Sequence, residues 1–286
     1  MQKLLILGAK GTLGQALIEQ FQENYEVIPF DKEDIDVTVT ETTREKITQM
    51  KPDIIINATA INAVDKIEED SATFELAKNI NGIAVGELAK IAKELGSIFV
   101  HYSTDYVFDG EAGRAYIETD IPHPISKYAE TKLLGETLTE QYGEKFYIIR
   151  LSRLFGKPGI SEMSKKSFVD NMLALATQKD HLDIVNDQTG SPTYAPDLAD
   201  FTKRLIEENK DFGIYHGTND GGCTWYEWAK KIFEIRNIII DVAPVSYTQF
   251  PRLARAPKYS VLENTKMPKQ RSWEDALQEY LGGYFS

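Results

Sequence analysis

Tyr128 and Lys132 stand four positions apart in the stretch Ser126-Lys127-Tyr128-Ala129-Glu130-Thr131-Lys132-Leu133-Leu134-Gly135-Glu136. If that stretch is helical, its rise of about 1.5 Å per residue puts the phenol and the ammonium on one face, roughly one turn apart. A phenol ordinarily titrates at about pH 10, so a fixed positive charge beside it makes it a better proton donor or acceptor at neutral pH. The pair suits carbonyl reduction with a nicotinamide cofactor, in which the oxygen gains a proton as its carbon gains a hydride. A third group comes from Val100-His101-Tyr102-Ser103-Thr104-Asp105-Tyr106-Val107-Phe108-Asp109-Gly110, a strand-like run with hydroxyls at its carboxyl end. There Thr104 can donate a hydrogen bond to the carbonyl oxygen, and Asp105 can orient Thr104 or sugar hydroxyls.

Groups this far apart in the chain meet only if the fold gathers them at one edge. From residue 3 to about 150, short apolar runs alternate with longer amphipathic ones, the pattern of strand and helix units around a parallel sheet. Strands are expected at Lys3 to Leu7, Glu26 to Phe30, Asp53 to Asn57, Ser97 to Tyr102 and Phe146 to Leu151. Helices are expected at Leu13 to Asn24, Thr42 to Met50, Thr73 to Leu95 with a break near Asn81-Gly82, and Ser126 to Tyr142. The expected fold class is α/β: a Rossmann-like doubly wound parallel sheet over 1–151, with a smaller substrate-binding lobe over 152–286. Residues 196–218, helix-like and then strand-like, are expected to return to the first sheet, so the two regions interleave. After Ser152 the chain turns to a loop rich in Gly, Ser and Lys, and Thr224-Trp225-Tyr226-Glu227 has the spacing of a capping box, read as structure rather than chemistry.

Gly8-Ala9-Lys10-Gly11-Thr12-Leu13-Gly14 lies between the first strand and the first helix, the context that turns a glycine pattern into a dinucleotide site. Glycines let the backbone approach a pyrophosphate, and the helix amino terminus adds N–H donors and positive dipole. Asp31, 17 positions beyond Gly14, ends the second strand where a carboxylate can accept the adenosine ribose hydroxyls, which favours NADH. Lys10 and Lys32 can instead neutralise a 2′-phosphate, so NADPH stays open.

The chain has 286 residues, 42% apolar and 27% charged, with a formal net charge of −12. That excess of acid argues against binding nucleic acid through many phosphates, and any anionic ligand needs a local basic pocket. Arg252, Arg255 and Lys258 are the candidates, Arg255 foremost because a guanidinium presents a planar fork of donors. The single cysteine, Cys223, excludes an internal disulfide, and no run approaches the roughly 20 apolar residues of a membrane span. A cytoplasmic protein with no membrane role is expected.

Five segments carry a resemblance beyond chemistry: the glycine turn, Asn57-Ala58-Thr59-Ala60 with Ala63-Val64-Asp65-Lys66, Ser103-Thr104-Asp105-Tyr106-Val107-Phe108, Tyr128-Ala129-Glu130-Thr131-Lys132-Leu133, and Asn186-Asp187-Gln188-Thr189-Gly190-Ser191-Pro192-Thr193. With Arg255-Ala256-Pro257-Lys258-Tyr259-Ser260-Val261-Leu262, the chain resembles the extended short-chain dehydrogenase/reductases, and among them the dTDP-4-dehydrorhamnose reductases, over nearly its whole length. The resemblance implies a catalytic triad of Thr104, Tyr128 and Lys132, with Lys132 also holding the nicotinamide ribose. It implies a cofactor cleft drawn from Gly8, Lys10, Gly11, Thr12, Leu13, Gly14, Asp31, Asp36, Val37, Ala58, Thr59 and Ala60 together with Tyr128 and Lys132. Substrate contacts would fall to Thr104, Asp105, Arg153 and Arg255, and the reaction would reduce the C4 ketone of dTDP-4-dehydro-L-rhamnose, a small-molecule nucleotide sugar.

Two positions depart from that pattern. Arg153 stands in Arg150-Leu151-Ser152-Arg153-Leu154-Phe155 where the family commonly has Trp; it lacks an indole's flat apolar face and is expected to stack on substrate or bind phosphate. Gln15 replaces the acidic residue with which some relatives bind magnesium at a dimer interface, so no metal is carried over and a monomer or a homodimer stays open. A non-catalytic NADP-binding regulatory subunit, resembling that of methionine adenosyltransferase, and a nucleotide-sugar epimerase or dehydratase are the competing readings.

Overall fold

Leu4-Leu5-Ile6-Leu7 offers water no polar face, so a strand containing it needs cover on both sides. In the computed structural model, which describes residues 1–161 and 166–283, β1 (Lys3–Leu7) lies inside a six-stranded parallel sheet with Leu4 to Leu7 fully buried. The chain continues through α1 (Thr12–Phe21), β2 (Glu26–Phe30), α2 (Thr40–Met50), β3 (Ile54–Asn57), α3 (Val64–Glu69) and α4 (Ser71–Lys78). A π-helical turn (Asn79–Ile83) leads into α5 (Ala84–Leu95), followed by β4 (Ile98–Thr104), α6 (Lys127–Tyr142) and β5 (Phe146–Leu151). Then come β6 (Leu154–Phe155), α7 (Phe168–Ala176), β7 (His181–Val185), β8 (Thr189–Gly190), β9 (Thr193–Tyr194), α8 (Ala195–Glu207) and β10 (Gly213–His216). The last elements are β11 (Cys223–Thr224), α9 (Trp225–Ile235), β12 (Asp241–Val245), β13 (Tyr259–Ser260) and α10 (Trp273–Gly283).

The main sheet runs β10-β5-β4-β3-β1-β2, every pair parallel. Strand order reverses at β1, and a crevice for ligands opens beyond the carboxyl ends at such a point. One face is covered by α1 and α8 through Leu13, Leu17, Phe21, Leu198, Phe201 and Leu205, the other by α2 and α5 through Ile47, Val85, Leu88 and Ile91. This is the doubly wound α/β architecture expected from the alternation of runs. A separate core gathers Phe155, Val169, Trp228, Ile232, Trp273, Leu277 and Tyr280, beside the parallel pair β7 and β12. The Gly-, Ser- and Lys-rich loop expected after Ser152 falls partly, at 162–165, outside the described residues.

Three boundaries differ from expectation, each for a local reason. The helix expected to break near Asn81-Gly82 instead runs on through the π-helical turn, where the Asn81 amide donates to Ile61 O and Thr131 Oγ1 and accepts from the Ile61 N–H. A side chain that ties three segments together stabilises the wider turn. Short α3 was not expected; with only Val64 and Ile67 apolar on six residues it shows no period to read. Helix α8 starts at Ala195, one residue ahead of the stretch expected to return to the sheet, with Pro196 in its first turn, where a missing N–H is harmless.

Helix α6 buries a polar face: Tyr128, Thr131, Lys132, Glu136 and Thr139 all turn inward. Glu136 and Arg150, each 1% exposed, form a two-pronged pair in which Nε and Nη2 donate to the carboxylate at 2.9 and 2.7 Å. Removing one partner strands a buried charge, so Glu136→Ala is expected to lower stability by about 3–5 kcal/mol. Replacing both, Glu136→Leu with Arg150→Met, should lose much less; urea denaturation midpoints check the contrast, and equal losses would contradict it.

Candidate active site

The start of α6 is fixed from two directions. Ser126 Oγ caps it by accepting the Ala129 N–H at 3.3 Å, and Glu68 accepts the Lys127 N–H at 2.6 Å. Both bonds fall within the first turn, so Tyr128 is placed by the helix end rather than by its own contacts. Thr104 ends β4 and caps the short helical turn 105–107: its Oγ1 accepts the Tyr106 N–H at 3.2 Å and donates to Asp105 at 3.2 Å. The Tyr106 ring meets that of Tyr128 edge-on, centroids 5.7 Å apart. Lys132, one turn further along α6, donates from Nζ to the Tyr102 carbonyl at 2.7 Å. Thr104, Tyr128 and Lys132 are all buried, gathered where β4 leaves the sheet.

Burial dominates the electrostatics here. It pushes the Tyr128 phenol well above its ordinary range, with hydrogen bonding to Thr104 acting against it and the Asp105 charge reinforcing it. The phenol therefore keeps its proton. Burial brings Lys132 down from 10.5 to about 8, opposed by the Glu136 carboxylate. The expectation that Lys132 acidifies Tyr128 is corrected on this point: the ammonium is turned to the strand carbonyl, and Lys132 is not among the groups that move the phenol. Burial also raises Asp105, countered by Ser260, whose hydroxyl donates to it at 2.6 Å, and by Arg153 and Thr104.

At the reversal point the glycine turn packs against the end of β3. Gly8 has φ +82°, and a side chain there would meet the Ala58 backbone at 2.9 Å; one at Gly14 would lie 2.2 Å from Gly8 O. The 159–161 segment lies against this turn, with Gly159 N–H donating to Thr12 Oγ1 at 3.2 Å and Ile160 N–H to Lys10 O at 2.8 Å, and α1, whose N-cap is Gly11, has no side-chain cap to occupy its first-turn N–H donors. That fits a pyrophosphate, and the cradle fits a nicotinamide dinucleotide. Asp31 lies against this turn, accepting the Lys10 N–H at 2.9 Å and the Lys32 N–H at 2.8 Å, while Lys10 Nζ pairs with Glu33 at 3.1 Å. Asp36 accepts from Thr38 N–H and Oγ1, Val37 is buried, and Thr59 donates twice to Asn57, leaving Ala58 partly covered and Ala60 exposed beyond β3. Gln15 Nε2 donates to Ala9 O. Among the described residues no group of three or more His, Cys, Asp or Glu is placed to hold a metal ion, and no helix is long and apolar enough to cross a membrane.

A cavity of about 600 Å³ is lined by Phe168, Trp225, Tyr247 and Phe250, and by Arg255 and Lys258. Arg252 also lines it but is held by Asp65 through Nε and Nη2 at 3.0 and 2.7 Å. Arg153 does not reach out as expected. It sits at φ +47° and donates to Cys223 O at 2.7 Å and Gln188 O at 2.9 Å, its guanidinium 3.9 Å over the Trp225 ring. The flat apolar surface that Arg153 lacks is thus present as Trp225, from another element. Trp225 and Phe168 were missed; the signal available was an aromatic directly after Thr224 of the capping box, where packing alone explained it.

A reversal-point glycine turn beside a Thr, Tyr and Lys at the carboxyl edge of a parallel sheet defines a Rossmann-type, NAD(P)H-dependent oxidoreductase of the short-chain dehydrogenase/reductase kind. The family model described as RmlD substrate binding domain matches residues 1–285, and the chain belongs to that family. It is 36% identical to the spore coat polysaccharide biosynthesis protein SpsK of Bacillus subtilis, over 98% of this chain and 97% of SpsK. It superposes with a TM-score of 0.93 on a dTDP-4-dehydrorhamnose reductase from Clostridium acetobutylicum, 38% identical over all of both chains. The dTDP-4-dehydrorhamnose reductase of Bacillus anthracis in complex with NADP gives 0.92 and 35%, covering 98% of this chain and 99% of that one.

Holding Lys132 buried has a thermodynamic signature. Between about 8 and 10.5 the unfolded chain binds more protons than the folded one, so the contribution of Lys132 is fully present above 10.5 and is lost as pH falls through about 8. Lys132→Met is therefore expected to raise the unfolding free energy at pH 7 by on the order of 1–3 kcal/mol, seen as a higher melting temperature, and to flatten stability across that window. A lower melting temperature for the variant in scanning calorimetry would oppose this.

Proposed function

We propose that this protein reduces the C4 ketone of dTDP-4-dehydro-L-rhamnose to dTDP-L-rhamnose with NADPH or NADH. The observation that carries the reading is the convergence of Thr104, Tyr128 and Lys132 at the end of β4 in a chain 35% identical, nearly end to end, to a reductase of that name holding NADP. The nicotinamide, when bound, supplies the hydride. Tyr128, kept protonated by its burial, is the proton donor to the carbonyl oxygen, and Thr104, turning its one hydroxyl hydrogen from Asp105 to the substrate, donates a hydrogen bond to that oxygen. Lys132 holds the ribose next to the reacting ring, and the glycine turn with the amino end of α1 holds the pyrophosphate. Asp31, Asp36, Val37, Ala58, Thr59 and Ala60 border the adenosine side of the same crevice.

On the substrate side Arg255 and Lys258 meet the diphosphate, Trp225 and Phe168 supply flat surface for the base or sugar, and Asp105 fixes Thr104. Arg153 acts through Trp225 and Asp105 rather than by touching phosphate. We assign the substrate lobe to 152–286, with 196–218 lent to the main sheet as α8 and β10, and a cytoplasmic protein working as a monomer or homodimer.

Purified protein given dTDP-4-dehydro-L-rhamnose and each reduced nicotinamide should consume cofactor stoichiometrically and yield the rhamnose nucleotide. Cofactor recycled without net consumption would point to an epimerase. Tyr128→Phe should cut turnover by ~10²-fold or more while leaving the fold intact, as loss of a general acid does; near-normal turnover would remove Tyr128 from the mechanism.

A further inference from the structure

On its core side, Lys132 faces an imidazole. His101, on β4, is completely buried, with Nε2 3.4 Å from Lys132 Nζ and Nδ1 3.4 Å from Asn57 Nδ2. The orientation of the Asn57 amide is fixed independently of the histidine: its oxygen accepts the Thr59 N–H at 3.1 Å and the Thr59 hydroxyl at 2.6 Å. A backbone N–H can only donate, so the oxygen belongs on the Thr59 side and the NH₂ group faces Nδ1. Nδ1 must then accept, and carries no proton. Burial, and after it the charge of Lys132, keeps the ring neutral, so its one hydrogen resides on Nε2.

That hydrogen points toward Nζ. An ammonium has three donors and no acceptor, whereas the uncharged amine has a lone pair. With Nζ already donating to Tyr102 O, the remaining contact opposes the charged form and suits the neutral one. We propose that Asn57 locks His101 as the Nε2–H tautomer and that this hydrogen favours the uncharged amine of Lys132, making His101 a positioning residue that sets the pH at which Lys132 gives up its charge. The inference rests on the reading of Lys132 as the group beside the reacting centre.

The other groups around Lys132 do not substitute for this one. On α6, Glu136 favours the ammonium but is tied to Arg150 of β5, and Tyr128 stays protonated. From β4 comes the Tyr102 carbonyl, while the neutral Asn57 of β3 bonds the far side of His101 and the neutral Asn81 of the π-helical turn bonds Thr131. His101 is thus the group facing Nζ whose hydrogen-bonding character can be reversed without adding or removing a charge.

The test reads the tautomer first. In protein labelled with ¹⁵N-histidine, one of four histidines, assigned by its loss in His101→Gln, should show a protonated, pyrrole-type Nε2 and a pyridine-type Nδ1. His101→Gln can turn its side-chain oxygen to Nζ, and the uncharged Asn57→Leu withdraws the donor facing Nδ1, freeing the ring to present a lone pair at Nε2. Each should raise the Lys132 titration, followed by ¹³Cε NMR, and the alkaline limb of kcat/KM by about one pH unit. A protonated Nδ1 in the unaltered protein, or a Lys132 titration unmoved in both variants, overturns the proposal. If the unaltered protein proves inactive on the nucleotide sugar, the functional reading falls while the NMR readings still decide this one; if the variants fail to fold, the tautomer decides it.

Discussion

The seam between α6 and the end of β4 is where this protein commits polar groups to its interior, and the ligand-facing edge depends on it. Burying a polar side chain costs several kcal/mol when its partners are missing and little when they are present. Along α6 the partners are present at each inward position: Thr131 donates to Tyr128 O, Lys132 to Tyr102 O and Thr139 to Gly135 O, while Glu136 binds Arg150. A helix seated on leucines tolerates small rotations, because apolar contacts are not directional. One tied to β4 through Lys132 and Tyr102 O and to β5 through Glu136 and Arg150 has a single register on the sheet, and that register sets the position of Tyr128.

The same logic shows how a chain of net charge −12 carries basic side chains into its cavity. Segment 246–258, which walls the cavity, is fastened by carboxylates: Asp187 accepts from Ser246 Oγ and the Tyr247 N–H at 2.6 and 2.8 Å, and Asp65 takes Arg252 and the Ala254 N–H. The acidic groups are spent on anchoring, close to backbone donors and one guanidinium. Arg255 and Lys258, just beyond those anchors in the chain, line the cavity itself, together with Asp109, Glu111 and Asp183. Local placement therefore outweighs the global sign, since charges more than about 8–10 Å apart at the surface are largely screened.

How much of this could be read beforehand differs by region. The five strands of the first half were legible because parallel strands buried on both faces must be continuous apolar runs, as in Ile54-Ile55-Ile56. Strands β6, β8, β9, β11 and β13 are two residues each, too short for any period, and they come into being through partners far along the chain. Helix α6 was expected from its periodicity over Ser126 to Tyr142, but that its inward face is largely the polar one was not. The direction of the Lys132 ammonium could not be foreseen, because the carbonyl that receives it lies 30 residues away on another element. Asp31 shows the limit of spacing arguments: its position beyond β2 was clear, its engagement with the Lys10 backbone was not.

Arg153 joins the two halves of the molecule in a way that its type alone did not announce. A non-glycine residue at φ +47° is in a sparsely populated region, at a cost on the order of 1 kcal/mol that persists only where the surroundings impose it. Here they do: two carbonyls from different segments accept its guanidinium, and the Trp225 ring lies beneath. Fixed there, its charge acts on Asp105, the carboxylate that takes Ser260 from β13 on one oxygen and Thr104 on the other. Movement of the cavity wall would therefore be felt at Thr104 through a single buried carboxylate. In this way the cavity wall and the Thr104 hydroxyl are held in one assembly.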